Sequence, residues 1–511
     1  MTKNGFTLGE LLKRRARFSP CHEALVGPRR RLNFEEFNHI SNQIGHYLLE
    51  QGIQPGDRVA LLACTNFHFS LLYFAAAKVG AITVGLNWRL TPAELNRILD
   101  DCQPRIIFYD DLYADLVDNL TLHPSTQTVR ALYHYDLDPA FTKAYAIHPT
   151  TEPEVEVDPD EPVVLTYTSG TTGAPKGVMI THRNLYEAGV MNSCTLQQQM
   201  GDRMLYITPL CHITGTGMLA YQPMIGLTYV FMPQFDPAKY MDLLDKERIT
   251  HSLLVPGLLR LLFPLFLESD KEFGSFKEFI SGGSSVPSDV IRQYEALGFN
   301  ITQCYASTEA LFISLWNVSM GMEHCHTVGK SFLGELKVVD PVTREELPQG
   351  EIGEIAVSSP MLFKGYWNQP EETAKVLVDG WLYTGDAGRF DKDNYLEIVD
   401  RYKDVIHCSG GEKIYPAEVE QVILGVDDVV EVALIGVKHE VWNEIPRAYV
   451  VKKPDSLLTE TDVLDYAHAK LAEYKLMEVT FVEQLPRNAF GKVMKAVLRE
   501  QANANRGQAH T

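Results

Sequence analysis

From Asp57 onward, short apolar runs alternate with longer stretches in which apolar residues recur every three or four positions. Val59 to Ala63 predicts a strand, Phe67 to Val79 a helix, Ile82 to Val84 a strand, the amphipathic run from Pro92 a helix and "RIIFYD" a strand. The rhythm resumes with strands in "VVLTYTSG", "RMLYITP", "TYVFMP", "HSLLVP", "FKEFISGG" and "NITQCYASTE", and with helices in "PAKYMDLLDKER" and "PSDVIRQYEALG". This is a doubly wound α/β pattern, a fold in which ligands gather at the carboxyl ends of the strands. Around Gly350 to Gly388 the text changes to Gly-punctuated short strands, "GEIGEIAVSS" and "GWLYTGDAGRFD", which predict a small β subdomain.

After "EIVDRYKD" a further block reads as complete in itself. Its first helix starts at "YPAEVEQVILG", where Pro416 suits the first turn and Val419, Val422 and Ile423 share a face. Strands in "VVEVALIGV" and "RAYVVK", a helix after Thr459 and a strand near "EVTFVEQ" follow. The expected organisation is a large N-terminal α/β domain with its β subdomain over 1–402, a smaller α+β domain over 403–500 and a disordered tail over 501–511. A chain of 511 residues is too long for one core, in keeping with that division.

Composition narrows the function classes. The net charge of −20 argues against nucleic acid and anionic membrane surfaces as partners, and requires a locally positive, metal-assisted site for any polyanion. The eight cysteines are scattered singly with no CxxC pair, and "MTKNGFTLGELLKRR" does not read as a signal peptide, which predicts a reducing, cytoplasmic setting. The uncharged run from Met204 to Phe235 is long enough to span a bilayer, but its prolines and glycines favour a buried strand, helix and strand, so no transmembrane segment is expected.

The candidate chemistry begins with "YTSGTTGAPKG", Tyr167 to Gly177, which predicts a loop rather than a helix or strand. Gly170, Gly173 and Gly177 free the backbone, Thr168, Ser169, Thr171 and Thr172 add donors, and Lys176 adds a charge, an inventory that suits phosphate. It is not a Walker loop, because Pro175 lies where the second glycine would be and Gly177 follows the lysine. Two more suspicious segments end predicted strands: "GGSS", with Gly283, Ser284 and Ser285, and "YASTE", with Tyr305, Thr308 and Glu309.

Taken in order, "YTSGTTGAPKGVMITHRNL", "YASTEA", "GEIGEI", "WLYTGDAG", "DRYKDVIHCSGGEKIYPAEVE" and "LPRNAFGKVMK" resemble the motifs of the adenylate-forming superfamily of acyl-CoA synthetases, peptide-synthetase adenylation domains and luciferases. The resemblance implies an AMP-forming ligase for a small-molecule carboxylic acid: the acid attacks the α-phosphate of ATP, pyrophosphate leaves, and a thiol takes the acyl group. ATP, Mg²⁺ and coenzyme A are the implied cofactors. The loop with Thr168, Ser169, Thr171, Thr172 and Lys176 would hold the β- and γ-phosphates. Glu309, with Thr168, is the implied magnesium site, since Mg²⁺ prefers carboxylate and phosphate oxygens. Thr308 would touch the α-phosphate, Tyr305 would lie against adenine, and Gly283, Ser284 and Ser285 would form the opposite wall.

By the same resemblance Asp386 and Arg401 would hold the ribose, and Lys492 would bridge carboxylate and phosphate as charge builds at phosphorus. The small domain would be mobile, turning about Lys403 between half-reactions and bringing Gly410 and Gly411 to the thiol tunnel. His212 resembles the gate beside an acyl pocket lined by Thr214, Val255, Ala306, Ser307 and Phe312, a lining that fits fatty and aromatic acids equally. Cys304 and Ala306 stand where many relatives have glycine, which would narrow the pocket mouth. A stand-alone enzyme loading an acyl carrier protein and a nucleotide-binding scaffold without turnover are the competing readings, and a homodimer is compatible with the sequence.

Overall fold

In the computed structural model, which describes residues 7–169, 175–407, 413–439, 443–488 and 492–508, the predicted alternation folds into two eight-stranded sheets. The first sheet runs, in spatial order, Leu311–Trp316, Asn300–Ser307, Glu278–Gly282, His251–Leu254, Arg203–Tyr206, Thr228–Phe231, Glu23–Val26 and Arg31–Asn33. Its interior strands are parallel and its two edges antiparallel. From Arg203–Tyr206 the chain passes through helix Ile213–Ile225 to a strand on one side, then through helix Pro237–Lys246 to His251–Leu254 on the other. Strand order therefore reverses at Arg203–Tyr206, which opens a crevice at the carboxyl ends.

The second sheet runs Gly365–Tyr366, Pro175–Thr181, Pro162–Ser169, Ile82–Gly85, Arg58–Leu62, Ile106–Asp110, Gln127–Tyr133 and Asp136–Leu137. The helix after Thr91 forms over Pro92–Cys102 because Thr91 and Glu94 make a reciprocal capping box, Pro92 opens it, and Leu95, Ile98, Leu99 and Cys102 bury one stripe. The uncharged run from Met204 is a buried strand, helix and strand, and among the described residues no helix is long and apolar enough to cross a membrane. The segment before Asp57 contributes helices Leu8–Phe18 and Phe34–Glu50 and the two strands that complete one edge of the first sheet.

The chain divides into two compact units, Met1–Leu336 with Val357–Tyr383, and Lys337–Ala356 with Thr384–Thr511. The boundary expected at 402/403 falls inside the second of these. Its carboxyl-terminal portion is a three-stranded sheet, Val429–His439, Asn443–Lys452 and Glu478–Phe481, with apolar residues alternating between two cores. Leu434, Ala448 and Val450 pack with helices Pro416–Ile423 and Glu460–His468, while Ala433, Ile435 and Val437 face helix Lys495–Gln508. That last helix corrects the expected disordered tail over 501–508, and 509–511 lie outside the described residues. Leu498 and Ala502, one helical turn apart and both buried, carry it across Gln501 against the sheet.

Candidate active site

The hydroxyl-rich segment proves to be the end of a β-hairpin, which corrects the reading of Tyr167 to Gly177 as loop throughout. Strands Pro162–Ser169 and Pro175–Thr181 pair antiparallel, with Tyr167 opposite Gly177, Thr168 opposite Lys176 and Ser169 opposite Pro175. Directly opposed residues share a face, so Thr168 and Lys176 project together while Tyr167 and Gly177 lie on the other side. A Cβ at Gly177 would stand 3.0 Å from the Tyr167 ring, so glycine is what lets that ring fold across its partner strand. The Tyr167 hydroxyl donates to Asp101 at 2.6 Å, which fixes the ring from the far end. Thr171 and Thr172 lie outside the described residues, and Ser169 is described only by its backbone.

Lys176 is held on two sides. Its ammonium donates to Glu372 at 2.7 Å and stands 4.9 Å from the centre of the Tyr366 ring. The Lys176 hydrogen bond, then that of Lys375, depresses the Glu372 carboxyl to about 2. Tyr366 belongs to the two-residue edge strand Gly365–Tyr366, which pairs with Pro175–Thr181 so that Tyr366 opposes Val178. Val178 lies two residues from Lys176, which puts both on the face that carries Tyr366.

Glu309 sits at the tip of a second hairpin, between Asn300–Ser307 and Leu311–Trp316 of the first sheet. Ser307 opposes Leu311, leaving Thr308, Glu309 and Ala310 as a three-residue loop closed by the left-handed Leu311, φ 55°. The Ser307 hydroxyl accepts from the Ala310 amide at 3.1 Å and steadies the turn. The Glu309 carboxylate accepts from the Tyr366 hydroxyl at 2.9 Å, and its carbonyl accepts from the Phe363 amide at 2.8 Å. Burial, then the charge of Glu309, holds the Tyr366 hydroxyl well above the ordinary phenol range, so it stays protonated and donates to the carboxylate. The structure thus brings two of the predicted residues, Lys176 and Glu309, to opposite aspects of one tyrosine.

Gly283, Ser284 and Ser285 form an exposed turn after strand Glu278–Gly282, with Gly283 at φ 87°, a conformation that favours glycine. Gln303, buried in the next strand, accepts from the Val286 amide and donates to the Thr327 carbonyl, tying that turn to the sheet. Tyr305 is 8% exposed in the same strand, one residue before the bulge that leads to Ala306.

Among the residues expected to line an acyl pocket, Ala306 and Phe312 are cross-strand partners, and the Phe312 ring lies 6.2 Å from that of Tyr221 on helix Ile213–Ile225. His212 is the N-cap of that helix and Thr214 is exposed in its first turn. The turn before it is packed backbone on backbone. A Cβ at Gly215 would lie 2.2 Å from the Pro209 carbonyl oxygen, and one at Gly85 would lie 2.8 Å from Cys211 Cα. Burial, reinforced by the nearby positive Arg89, lowers His212 to about 4, so it is neutral at neutral pH. Val255, 49% exposed, precedes helix Pro256–Glu268 at the carboxyl end of the neighbouring strand.

In the smaller unit Asp386 and Arg401 are cross-strand partners joined by an ion pair of 2.7 Å, Asp386 being 5% exposed. Glu354 accepts from the Gly385 amide at 2.9 Å and so fixes the turn that delivers Asp386. Lys492 is exposed; its amide donates to Asn488 Oδ1 and its carbonyl accepts from the Asn488 amide, each at 2.9 Å. Lys403 lies in the single turn Tyr402–Asp404, and Gly410 and Gly411 fall outside the described residues.

Tyr366, Glu372 and Gln303 were not singled out in the sequence. "FKGYWNQPEE" offers three aromatics and two acids with nothing to single out Tyr366 or Glu372, and only the pairing of distant segments reveals their partners.

Comparison with known proteins places the chain among relatives of one family. The AMP-binding enzyme family model matches residues 12–367, and that of the AMP-binding enzyme C-terminal domain matches 418–492. The long-chain-fatty-acid–CoA ligase FadD13 of Mycobacterium tuberculosis is 37% identical over 511 residues, covering 97% of this chain and 99% of that protein. A feruloyl-CoA synthase of Amycolatopsis sp is 32% identical over 503 residues, covering 97% and 99%. Among solved structures, ATP-bound MatB from Rhodopseudomonas palustris superposes with a TM-score of 0.89 at 30% identity, covering 98% of this chain and 99% of that one.

Proposed function

The chain belongs to the AMP-binding enzyme family and is an ATP-dependent, AMP-forming acid–CoA ligase, and we propose that the acid it activates is apolar, fatty or aromatic, and is handled by the residues described above. The observation that carries the site assignment is the grouping of Lys176, Tyr366 and Glu309 where the hairpins of the two sheets meet. A cation and a carboxylate held that close without pairing to each other suit a magnesium-bound polyphosphate, which needs both. Bound Mg²⁺ would supply charge neutralisation at the phosphates, and Glu309 and Thr168 offer the hard oxygen donors it prefers. Lys176 binds the leaving pyrophosphate, Thr308 the α-phosphate, and Tyr305 with Gly283, Ser284 and Ser285 encloses the adenine.

Asp386 accepts from the ribose hydroxyls while Arg401 orients its carboxylate. Lys492 lowers the repulsion between the acid and the α-phosphate as they approach, and Lys403 serves as the hinge that exchanges adenylation for thiol transfer. Gly410 and Gly411 leave room for the pantetheine arm. Neutral His212 closes the inner end of a pocket walled by Thr214, Val255, Ala306, Ser307 and Phe312. A reducing cytoplasm is the setting that fits these roles.

The test is AMP release from a panel of aliphatic and aromatic acids, with and without CoA. Acid-dependent AMP release that continues to thioester only with CoA is expected. AMP release that turns over only with an acyl carrier protein would transfer the assignment to carrier loading, and nucleotide binding without acid-dependent AMP would end it.

A further inference from the structure

Residues 360–366 are fastened to the phosphate hairpin and to the glutamate hairpin at once. Asn184, in the helix directly after strand Pro175–Thr181, donates to the Leu362 carbonyl at 2.8 Å and the Pro360 carbonyl at 3.2 Å. The Lys364 amide donates to the Met179 carbonyl at 2.9 Å, and the Phe363 amide grips the Glu309 carbonyl at 2.8 Å. Tyr366 closes this arrangement. Its amide donates to Thr373 Oγ1 at 2.8 Å, its ring meets Phe363 edge-on at 5.0 Å, and it is 7% exposed, so the side chain has little freedom. From that fixed position the hydroxyl reaches Glu309 at 2.9 Å, and the ring centre lies 4.9 Å from the Lys176 ammonium.

We propose that Tyr366 is a positioning residue that sets Glu309 and Lys176 at a fixed separation for the metal-bound phosphates of ATP. The inference rests on the reading of Glu309 as the magnesium ligand. One hydroxyl occupies one carboxylate oxygen and turns the carboxylate about its long axis, which fixes the direction in which its other oxygen can bind a cation. The ring face attracts the ammonium through its quadrupole and adds no second anion to the Glu372 carboxylate that Lys176 already meets at 2.7 Å, so phosphate has that one carboxylate to displace. A tyrosine does both, whereas a phenylalanine seats the cation and leaves the carboxylate unguided.

The experiment measures the dissociation constant of AMPCPP, an ATP analogue whose α–β bridge is an uncleavable methylene, for the full chain by calorimetry, once with EDTA and once with Mn²⁺. The ratio of the two constants reports what the metal contributes at the protein. In Tyr366→Phe the ratio should fall about tenfold, the size of effect seen when an outer partner of a metal ligand is lost, with metal-free affinity unchanged. In Tyr366→Leu the metal-free affinity should fall severalfold as well, because one of the two holds on Lys176 is gone and Glu372 alone positions it. Glu309→Gln should bring the ratio close to that of a protein offering no metal ligand. If Tyr366→Phe keeps the parental ratio, whether or not its melting temperature drops, the inference is overturned. If Glu309→Gln also keeps it, the assignment of the metal ligand is what fails.

Discussion

Acid should loosen the element that carries the phosphate hairpin, and the responsible group is His182. This residue opens the helix His182–Thr195 immediately after strand Pro175–Thr181, and its Nδ1 accepts the Leu8 amide at 3.2 Å, a donor in the first turn of helix Leu8–Phe18. Acceptance requires a neutral ring with its proton on Nε2. Complete burial lowers His182 from 6.5 to about 3, against a weaker opposing pull from Asp158. Because the folded value lies below the unfolded one and the neutral form is the folded form, the associated stability is fully present above pH 6.5 and drains away as pH falls toward 3. Linkage puts the loss between about pH 7 and pH 4 at about 3 kcal/mol. His182→Asn keeps an oxygen able to accept from Leu8 but does not titrate. The assay is urea unfolding of parent and variant at both pH values, read by tryptophan fluorescence. His212 and His251, each lowered to about 4, titrate in both proteins and cancel from the difference. The parent should lose about 3 kcal/mol more than the variant on acidification. Parallel losses would refute the argument, since a constant offset reports only the change in shape.

Lys492→Ala should slow adenylation by at least roughly 100-fold while leaving CoA transfer from a supplied acyl-adenylate largely intact, and Lys403→Ala should do the reverse; equal loss of both half-reactions in either variant would remove its assigned role. Gly85→Ala sets a Cβ 2.8 Å from Cys211 Cα and 2.9 Å from the Leu210 carbonyl oxygen, so the turn bearing His212 must shift. The expected result is about 1–3 kcal/mol of lost stability together with a raised KM for the acid, and an unchanged KM would mean that this turn does not border the acyl pocket. Glu372→Gln removes the anion that occupies Lys176 before phosphate arrives, so ATP should bind severalfold more tightly at low ionic strength, with the gain fading as salt is added. Weaker binding in that variant would show that Glu372 orients the lysine rather than competes for it.

Much of the architecture is written in local pattern. The helix Pro92–Cys102 announces itself by cap, proline and apolar stripe within a dozen residues, and the site loops are recognisable because they follow strands of unmistakable apolar character. What escapes is information held between distant segments. Tyr366 and Glu309 are 57 positions apart, and Lys176 and Glu372 are 196 apart, so nothing in either neighbourhood marks the partner. Composition also misleads in both directions. The glycines and hydroxyls of Tyr167 to Gly177 suggest a loop, yet ladder pairing with the opposite arm keeps Tyr167, Thr168, Lys176 and Gly177 extended. The polar letters after Gln501 suggest fraying, yet one alanine on the apolar stripe suffices to dock the helix. The two strands before Asp57 escape because four and three residues give too short a sample of period two.

The facing of Thr168 and Lys176 places a rule of parity on the chain around them. Each arm of the hairpin is a ratchet with two settings, and adding or deleting one residue between Val163 and Ser169, or between Pro175 and Ile180, would swing one of these groups to the side now occupied by Tyr167. Changes by two restore the facing. Relatives that differ in length here should therefore do so by even steps, and an odd step would carry either the hydroxyl or the ammonium off the shared face without removing a single atom of either.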